Sequence, residues 1–151
     1  MNVLIVDDTE WKLEEIRALV SSAFPEFNLL SSDSYQAAIP RILDDSPELI
    51  LLDMSIPTYS DAHGSADRFR PFGGRDILWE MKRRKIESKV IIVTQFEYFP
   101  EDDNLTKRSD LMREISHLFR QWVVGDVVYG SLTSDWRADL IRLIKKAGAR
   151  R

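Results

Sequence analysis

Residues 3–8 read VLIVDD, four apolar side chains followed at once by two acids. A short apolar run with β-branched residues is typical of a strand that is buried on both faces of a parallel sheet. In open α/β folds, the ligand site lies outside the carboxyl ends of such strands. The stretch therefore predicts a buried strand and, directly after it, a place for polar chemistry.

Similar apolar runs recur along the chain and alternate with segments of helical periodicity. The other runs of strand type lie at residues 49–52, 90–93 and 123–129, with a weaker one at 27–30. Apolar residues spaced three or four apart predict helices at about 13–24, 34–43, 74–84, 111–122 and 136–147. Pro40 is expected to bend or shorten the second of these helices. Strand followed by helix throughout predicts an α/β fold with a doubly wound, five-stranded parallel sheet and helices on both faces.

The composition limits the class of protein. At 151 residues and 44% hydrophobic content, the chain has the size and composition of one globular domain. Its 21 basic and 25 acidic residues leave a net charge of −4, so no direct contact with nucleic acid is expected. The absence of cysteine excludes disulfides and thiolate metal sites. No signal peptide or membrane-length apolar run is evident, which favours a cytoplasmic protein without membrane contact.

Acids and a hydroxyl follow three of the predicted strands. Asp7 and Asp8 follow the first strand, Asp53 follows the third, and Thr94 closes the fourth. Carboxylates gathered at one edge would repel each other unless a hard cation such as Mg²⁺ neutralises them through oxygen ligands. The alternative is that Asp8 or Thr9 caps the next helix. Helix capping does not account for Asp53 at another strand end, so the constellation favours a cation site.

The same residues resemble a known family. The segments VLIVDD at 3–8, LILLDMSIP at 49–57 and VIIVT at 90–94 are similar, in order and spacing, to the receiver domain of two-component response regulators. Residues 74–78 resemble the glycine-led opening of that family's third helix. The resemblance covers nearly the whole chain and implies a flavodoxin-like receiver fold.

The resemblance implies a role for each matching residue. Asp53 matches the aspartate that accepts a phosphoryl group from a histidine kinase or phosphotransfer protein. Asp8 matches a direct Mg²⁺ ligand and Asp7 its neighbour, which acts through water. The Ser55 backbone carbonyl completes the protein's share of the coordination, and the Thr94 hydroxyl matches the group that binds a phosphoryl oxygen. These roles suit phosphoryl transfer, which depends on positioning and charge neutralisation.

The sequence departs from the family after the last strand. Gly130 stands where receivers carry a lysine that contacts the phosphoryl group, and Ser131 stands where a proline follows. Val127 occupies the place of a switching aromatic residue, and the side chain of Tyr129 is expected to point to the wrong face for that role. Loss of the lysine removes a charge-assisted contact, so acceptance of phosphate and response to it become separate questions. Gln95 also replaces a small residue after Thr94.

Two longer segments have no counterpart of that length in receivers. The insert at 58–73 contains Arg68 and Arg70, either of which could fold over the acids and replace the missing lysine's charge. The alternative is a solvated loop, because charged segments with glycine gain little from ordering. The segment at 96–122 begins with aromatic and acidic residues and continues as an extended helical stretch. Its aromatic residues suggest either a protein interface, such as a homodimer, or packing beneath the extension.

Three functions are weighed on these grounds. The first is an atypical stand-alone receiver, one domain over residues 1–151, that binds Mg²⁺, takes phosphate on Asp53 and signals through a downstream protein partner. The second is a pseudo-receiver that works as an interaction module without phosphate. The third, a Mg²⁺-dependent phosphohydrolase, needs an acid two residues after its nucleophile, and Asp53 is followed at that distance by Ser55. The first reading is favoured, and it describes a signalling domain and not an enzyme.

Overall fold

The structure is a computed structural model that describes residues 1–57, 73–95, 98–101 and 104–149. The elements in chain order are β1 (Asn2–Val6), α1 (Glu10–Ala23), β2 (Asn28–Ser32), α2 (Tyr35–Asp45), β3 (Leu49–Leu52), α3 (Gly73–Arg84), β4 (Lys89–Thr94), β5 (Tyr98–Glu101), β6 (Asn104–Lys107), α4 (Arg108–Leu118), β7 (Val123–Val128) and α5 (Trp136–Ala149). Arg68 and Arg70, and with them the proposed replacement of the lysine's charge, lie outside the described residues.

Five strands form one parallel sheet in the order β2-β1-β3-β4-β7. The chain moves outward to one edge and then crosses to the other, which is the doubly wound arrangement. This confirms the fold class predicted from the alternation of apolar runs and helical stripes. In the part of the chain that the structure describes, no helix combines the length and apolar character needed to cross a bilayer.

The sheet separates two apolar cores, because successive residues of a strand point to opposite faces. In β1, Val3 and Ile5 pack with α1 and α5 on one face, while Leu4 and Val6 pack on the other face. Both faces are therefore covered, as the uninterrupted apolar runs predict. The buried acids Asp7 and Asp53 lie where β1 and β3 end, at the carboxyl edge of the sheet.

The segment between β4 and β7 differs from the prediction of a loop and one long helix. β5 and β6 pair as an antiparallel two-stranded sheet, with Glu101 opposite Asn104. Strands of four residues with mixed polarity leave no clear pattern of alternation in the sequence. α4 also ends at Leu118 and not at Trp122, because the Trp122 amide donates to the Phe119 carbonyl at 2.9 Å in a tight turn.

α2 shows that Pro40 does not shorten its helix. The helix runs on through Pro40 to Asp45, and the Ser34 side chain caps its start by accepting a hydrogen bond from the Ala37 amide at 3.1 Å. Ser46 ends the helix in the left-handed conformation, with φ of 45°. The helix therefore covers its part of the sheet over its whole length.

Candidate functional site

The parallel register of β1 and β3 brings the acids together. Val6 pairs with Leu52, so Asp7 and Asp53 come directly after paired residues, and the Asp53 amide donates to the Val6 carbonyl at 3.0 Å. One carboxylate oxygen from each of Asp7, Asp8 and Asp53 lies within 4.8 Å of the other two. Asp7 and Asp53 are buried, whereas Asp8 is exposed. The three acids thus converge as their positions at strand ends predict.

The start of α1 tests the alternative that Asp8 or Thr9 caps this helix. The N-cap residue is Thr9, and its side chain makes no capping hydrogen bond. The Thr9 amide donates instead to Asp7 Oδ1 at 2.9 Å, which orients the Asp7 carboxylate from the backbone. Asp8 is therefore not at the N-cap position, and capping of α1 does not explain the acid pair.

Ser55 and Thr94 flank Asp53. The Ser55 amide donates to Asp53 Oδ1 at 3.3 Å, and Ser55 itself is buried. Leu52 pairs with Ile92 across β3 and β4, so Thr94 lies at the end of the strand that runs beside Asp53. Thr94 is fully buried, yet among the described residues its hydroxyl has no hydrogen-bond partner. A buried hydroxyl without a partner costs free energy and calls for a functional explanation, such as a ligand oxygen.

Two glycines let α3 approach the loop that holds Asp53. A Cβ on Gly74 would lie 2.5 Å from the Asp53 carbonyl oxygen, and one on Gly73 would clash with the Ile56 carbonyl oxygen. The Gly74 amide donates to the Met54 carbonyl at 2.9 Å. Any side chain here would push the helix away, which gives a physical reason for the glycine-led opening of this helix.

Lys12 is the residue at this site that the sequence analysis missed. Its side chain is fully buried, with Nζ 2.7 Å from Asp7 Oδ2 and 3.6 Å from Asp53 Oδ2. Nζ also donates to the Val93 carbonyl at 2.9 Å. The sequence does contain a signal for the burial of Lys12. Lys12 precedes Ile16 by four residues, about one helical turn, and so falls on the buried stripe of α1. A lysine on such a stripe predicts a buried anionic partner.

Burial and mutual repulsion shape the electrostatics of the acids. Burial raises the pKa of Asp7 to about 7, and the Asp53 charge adds to this rise while Lys12 opposes it. Burial likewise raises the pKa of Asp53, again against the influence of Lys12. Among the described contacts, the Lys12 ammonium lies against two of the three carboxylates, those of Asp7 and Asp53. Carboxylate oxygens this close together are the hard donors that a divalent cation such as Mg²⁺ prefers.

The turn after β7 contains Gly130, the residue that the sequence resemblance places at the family's lysine position. Gly130 is exposed in a turn with φ of 71°, and among the described residues beyond its chain neighbours no atom lies within 4 Å of the place a Cβ would take. Tyr129 before it is buried, its amide donates to the Thr94 carbonyl at 2.8 Å, and its ring centroid lies 5.8 Å from Lys12 Nζ. Val127 and Tyr129 belong to the same apolar core, on the side of α1 and α5. The expectation that Tyr129 faces away from the Val127 side is wrong, since residues two apart on a strand share a face.

The Tyr129 hydroxyl ties the end of β7 to α1. It donates a hydrogen bond to Glu15, which also pairs with Arg137 on α5. Burial, with the Glu15 hydrogen bond as a second cause, raises the pKa of Tyr129 to about 12, so the hydroxyl keeps its proton. The ring of the exposed Trp11 lies 5.7 Å from the Tyr129 ring. Trp11 therefore stands next to the site and is placed to report on it by fluorescence.

Two relatives with known sequences cover nearly the whole chain. The uncharacterized protein y4jR of Sinorhizobium fredii is 32% identical over 139 residues, which are 91% of this chain and 92% of that protein. The Detocs response regulatory protein DtcB of Enterobacter cloacae is 29% identical over 147 residues, covering 95% of this chain and 98% of that protein. No family model matches the chain.

Several solved structures with the same fold are response regulators or receiver domains. A LuxR-family two-component response regulator from Aurantimonas superimposes with a TM-score of 0.70 over 99% of this chain and 86% of its own, at 16% identity. A CheY-like receiver domain protein from Methanospirillum hungatei gives a TM-score of 0.65 over 98% and 94%, at 15% identity. The chain belongs to the family of its two relatives, and it is a response-regulator receiver domain of two-component signalling, in an atypical form without the lysine after the last strand.

Proposed function

We propose that this receiver binds Mg²⁺, accepts a phosphoryl group on Asp53 from a histidine kinase or phosphotransfer protein, and passes the signal to a downstream protein by contact. The observation that carries the proposal is the approach of the Asp7, Asp8 and Asp53 carboxylate oxygens to within 4.8 Å of one another at the carboxyl edge of the sheet. Such a cluster combines a nucleophile with the ligands that its substrate's charge requires.

The metal ligands in this proposal follow the family positions. Asp8 and Asp53 bind through carboxylate oxygens, Ser55 binds through its backbone carbonyl, and Asp7 acts through water. When bound, Mg²⁺ supplies positive charge that offsets the carboxylates and the oxygens of an incoming phosphoryl group. The approach of three carboxylate groups to one another supports this assignment.

The transfer step needs little beyond positioning. One carboxylate oxygen of Asp53 forms a bond to phosphorus while the bond from phosphorus to the donor's imidazole nitrogen breaks, and that electron pair stays on the imidazole. The Thr94 hydroxyl donates to a phosphoryl oxygen and so gains the hydrogen-bond partner that it lacks within the described chain. The Ser55 amide, 3.3 Å from Asp53 Oδ1, holds the carboxylate in place during the step.

The regulatory role of a chain of this length is supported by one relative. This chain covers 98% of a protein named as a response regulatory protein. We therefore propose one receiver domain over residues 1–151, which acts through protein contacts and catalyses at most its own phosphotransfer. The segments at 58–73 and 96–122 are the additions that set it apart from other receivers.

The direct test is phosphorylation by a small-molecule donor. The protein is incubated with Mg²⁺ and acetyl phosphate, and its intact mass is measured. We expect a mass increase of one phosphoryl group that is absent from Asp53→Asn and retained by the control Asp45→Asn, which alters an exposed acid paired with Arg41. Labelling of Asp53→Asn to the same extent would contradict the proposal.

A second readout separates the pseudo-receiver from the phosphoacceptor. Beryllofluoride, a mimic of the phosphoryl group, is titrated in the presence of Mg²⁺ while tryptophan fluorescence is recorded. We expect a saturable change that depends on Trp11, and Trp11→Phe is the control for the remaining tryptophans. If neither donor nor mimic gives any response in the presence of Mg²⁺, the phosphate-independent interaction module is the correct reading.

A further inference from the structure

We propose that Lys12 provides, from the first turn of α1, the phosphoryl-binding positive charge that other receivers place after the last strand of the sheet. The inference rests on the proposed phosphorylation of Asp53. Its starting observation is that Gly130 offers no charge at the family's lysine position, while Lys12 brings an ammonium group to the same acids from another element.

The first step concerns burial. A lysine is almost never fully buried unless it is paired, because the ammonium loses its water. Lys12 is fully buried, and its hydrogen-bonding distances are 2.7 Å to Asp7 Oδ2 and 2.9 Å to the Val93 carbonyl. Two donors of the ammonium are thus used by fixed groups. These two hydrogen bonds hold Nζ at one position in the site, whereas an unbonded lysine side chain would adopt many conformations.

The second step concerns the distance to Asp53. Lys12 Nζ lies 3.6 Å from Asp53 Oδ2, which is within ion-pair range but too long for a hydrogen bond. A phosphoryl group on Asp53 adds further oxygens and further negative charge to that carboxylate. The ammonium is then positioned to donate its third hydrogen bond to the added group, and charge-assisted bonds of this kind are among the strong ones.

The third step concerns the neighbours of Lys12. The ammonium is held on the carbonyl of Val93, the residue before Thr94. The Lys12 ammonium and the Thr94 hydroxyl therefore both lie at the carboxyl end of β4, beside Asp53. The Tyr129 ring, with its centroid 5.8 Å from Nζ, packs against Lys12 where β7 ends. The aromatic ring thus adds a favourable cation–π contact to the buried ammonium.

A purely structural role is the competing explanation. The shorter distance is to Asp7, so Lys12 could serve only as the counter-ion of that acid. The two roles differ in what they change. A counter-ion affects folding and the affinity for Mg²⁺, whereas a phosphoryl-binding cation affects the affinity for the phosphoryl mimic at constant Mg²⁺.

The test compares two lysine variants of the full chain. Lys12→Met removes the charge and keeps the length of the side chain. Lys89→Met is the matched control, because Lys89 also donates to a backbone carbonyl, that of Gln121 at 2.8 Å, at the opposite end of β4. Affinity for Mg²⁺ alone, and affinity for beryllofluoride at saturating Mg²⁺, are measured for each by titration calorimetry.

For Lys12→Met we expect beryllofluoride to bind about tenfold more weakly or worse, as loss of a charge-assisted hydrogen bond predicts, with Mg²⁺ binding retained or tightened. Lys89→Met should match the unaltered protein in both measurements. Equal beryllofluoride affinity in Lys12→Met and the unaltered protein, or an equal loss for Mg²⁺ and beryllofluoride, would overturn the inference. Failure of the unaltered protein to bind beryllofluoride would instead overturn the proposed function, so the two failures are distinguishable.

A measurement on the unaltered protein avoids dependence on the folding of Lys12→Met. With carbon-13 at the lysine ε-positions, we expect the Lys12 resonance to shift when beryllofluoride is added to the Mg²⁺-loaded protein. The Lys89 resonance should not move. Lys12→Arg, which lacks the resonance and keeps the charge, assigns it. Binding of beryllofluoride without any shift of the Lys12 resonance would overturn the inference as well.

Discussion

Two lysines at opposite ends of β4 make the same kind of hydrogen bond and have different consequences. Lys89, at the amino end, donates to the Gln121 carbonyl at 2.8 Å and keeps part of its surface exposed. Lys12, at the carboxyl end, donates to the Val93 carbonyl at 2.9 Å and is fully buried beside Asp7. The backbone bond alone therefore does not distinguish a functional lysine. Burial against an acid is what sets Lys12 apart, because a buried charge there is costly to leave unpaired.

The hydroxyls at the two ends of β4 repeat the contrast. Ser88, just before the strand, is buried and donates its hydroxyl to the Pro47 carbonyl. Thr94, at the end of the strand, is buried with no partner for its hydroxyl among the described residues. At the amino end, Ser88 has its hydrogen bond within the fold. At the carboxyl end, the Thr94 hydroxyl has no such bond among the described residues, which is the state expected of a group that binds a ligand.

The largest difference should appear when each lysine is replaced by methionine. We expect Lys12→Met to lower the free energy of unfolding by about 3 to 5 kcal/mol without divalent cation, because it leaves buried carboxylates uncompensated. Lys89→Met should change it by about 0.5 kcal/mol or less, as a partly exposed substitution. Urea unfolding at pH 8 in the presence of EDTA measures both. Comparable losses in the two variants would show that the buried ion pair adds nothing beyond the carbonyl bond.

The pH dependence of stability should also be confined to the carboxyl end. The pKa of Asp7 is raised from 3.8 to about 7, so between these values the folded protein binds more protons than the unfolded chain. Stability without divalent cation should therefore be greatest near pH 4 and fall as pH rises to about 7, by on the order of 3 kcal/mol at about 1.4 kcal/mol per pKa unit.

The measurement is urea unfolding across that pH range with EDTA, with Asp7→Asn as the control. Asp7→Asn should show a smaller decline, because only the raised pKa of Asp53 then contributes at this site. Saturating Mg²⁺ should restore the stability of the unaltered protein at pH 7, since binding to the folded state alone stabilises it. A metal-free protein whose stability rises steadily from pH 4 to 7 would contradict the raised pKa of Asp7.

The strands of the main sheet were predictable because they are buried on both faces. Their runs contain Val, Ile and Leu at consecutive positions, as in Leu49–Leu52, and no helix among the described residues has four such residues in a row. The hairpin of β5 and β6 was not predictable, because its stability depends on the pairing of short strands and on no continuous apolar run. The end of α4 was misplaced because Trp122 fits the helical spacing, although its indole donates to the Ile86 carbonyl from a turn.

The acids of the site were predictable and the cation was not. Asp7, Asp8 and Asp53 follow strands that could be read from the sequence, so their convergence follows from the sheet. The contact between Lys12 and the Val93 carbonyl joins residues 81 positions apart. It depends on the tilt of α1 over the sheet, which local periodicity does not encode. In the sequence, Arg68 and Arg70 of the charged insert are candidates to replace the lysine's charge, with a solvated loop as the alternative, whereas the described structure places a buried lysine on the helix after β1.

A smaller effect is expected from glycines at the two ends of the sheet. In Gly74→Ala, the new Cβ would lie 2.5 Å from the Asp53 carbonyl oxygen, so α3 or the Asp53 loop must shift. We expect a loss of about 2 kcal/mol in unfolding free energy, in the range of overpacked cores, together with weaker Mg²⁺ binding. Thermal unfolding and Mg²⁺ titration measure these two effects.

Gly148→Ala is the matched control near the amino end. Its Cβ would make ordinary van der Waals contact with Met1 Cε at 3.6 Å, inside α5. Alanine is preferred to glycine in helices by roughly 0.5 to 1 kcal/mol, so stability should stay the same or rise. If Gly74→Ala proves as harmless as Gly148→Ala, close packing of α3 against the Asp53 loop is not required for the site.

The smallest expected effect separates stability from function at a single hydroxyl. Thr94→Val keeps the shape of the side chain and removes a buried hydroxyl that has no partner in the described chain. We expect unfolding free energy to stay the same or rise by about 1 kcal/mol, because no hydrogen bond is lost and a desolvation cost disappears. Ser88→Ala, which removes the bond to the Pro47 carbonyl, should lower it by about 1 kcal/mol. The affinity for beryllofluoride should show the reverse pattern of sensitivity. It should fall in Thr94→Val and stay unchanged in Ser88→Ala. Since a hydroxyl that only filled space would leave that affinity intact, a Thr94→Val protein that binds the mimic normally would remove Thr94 from the proposed site.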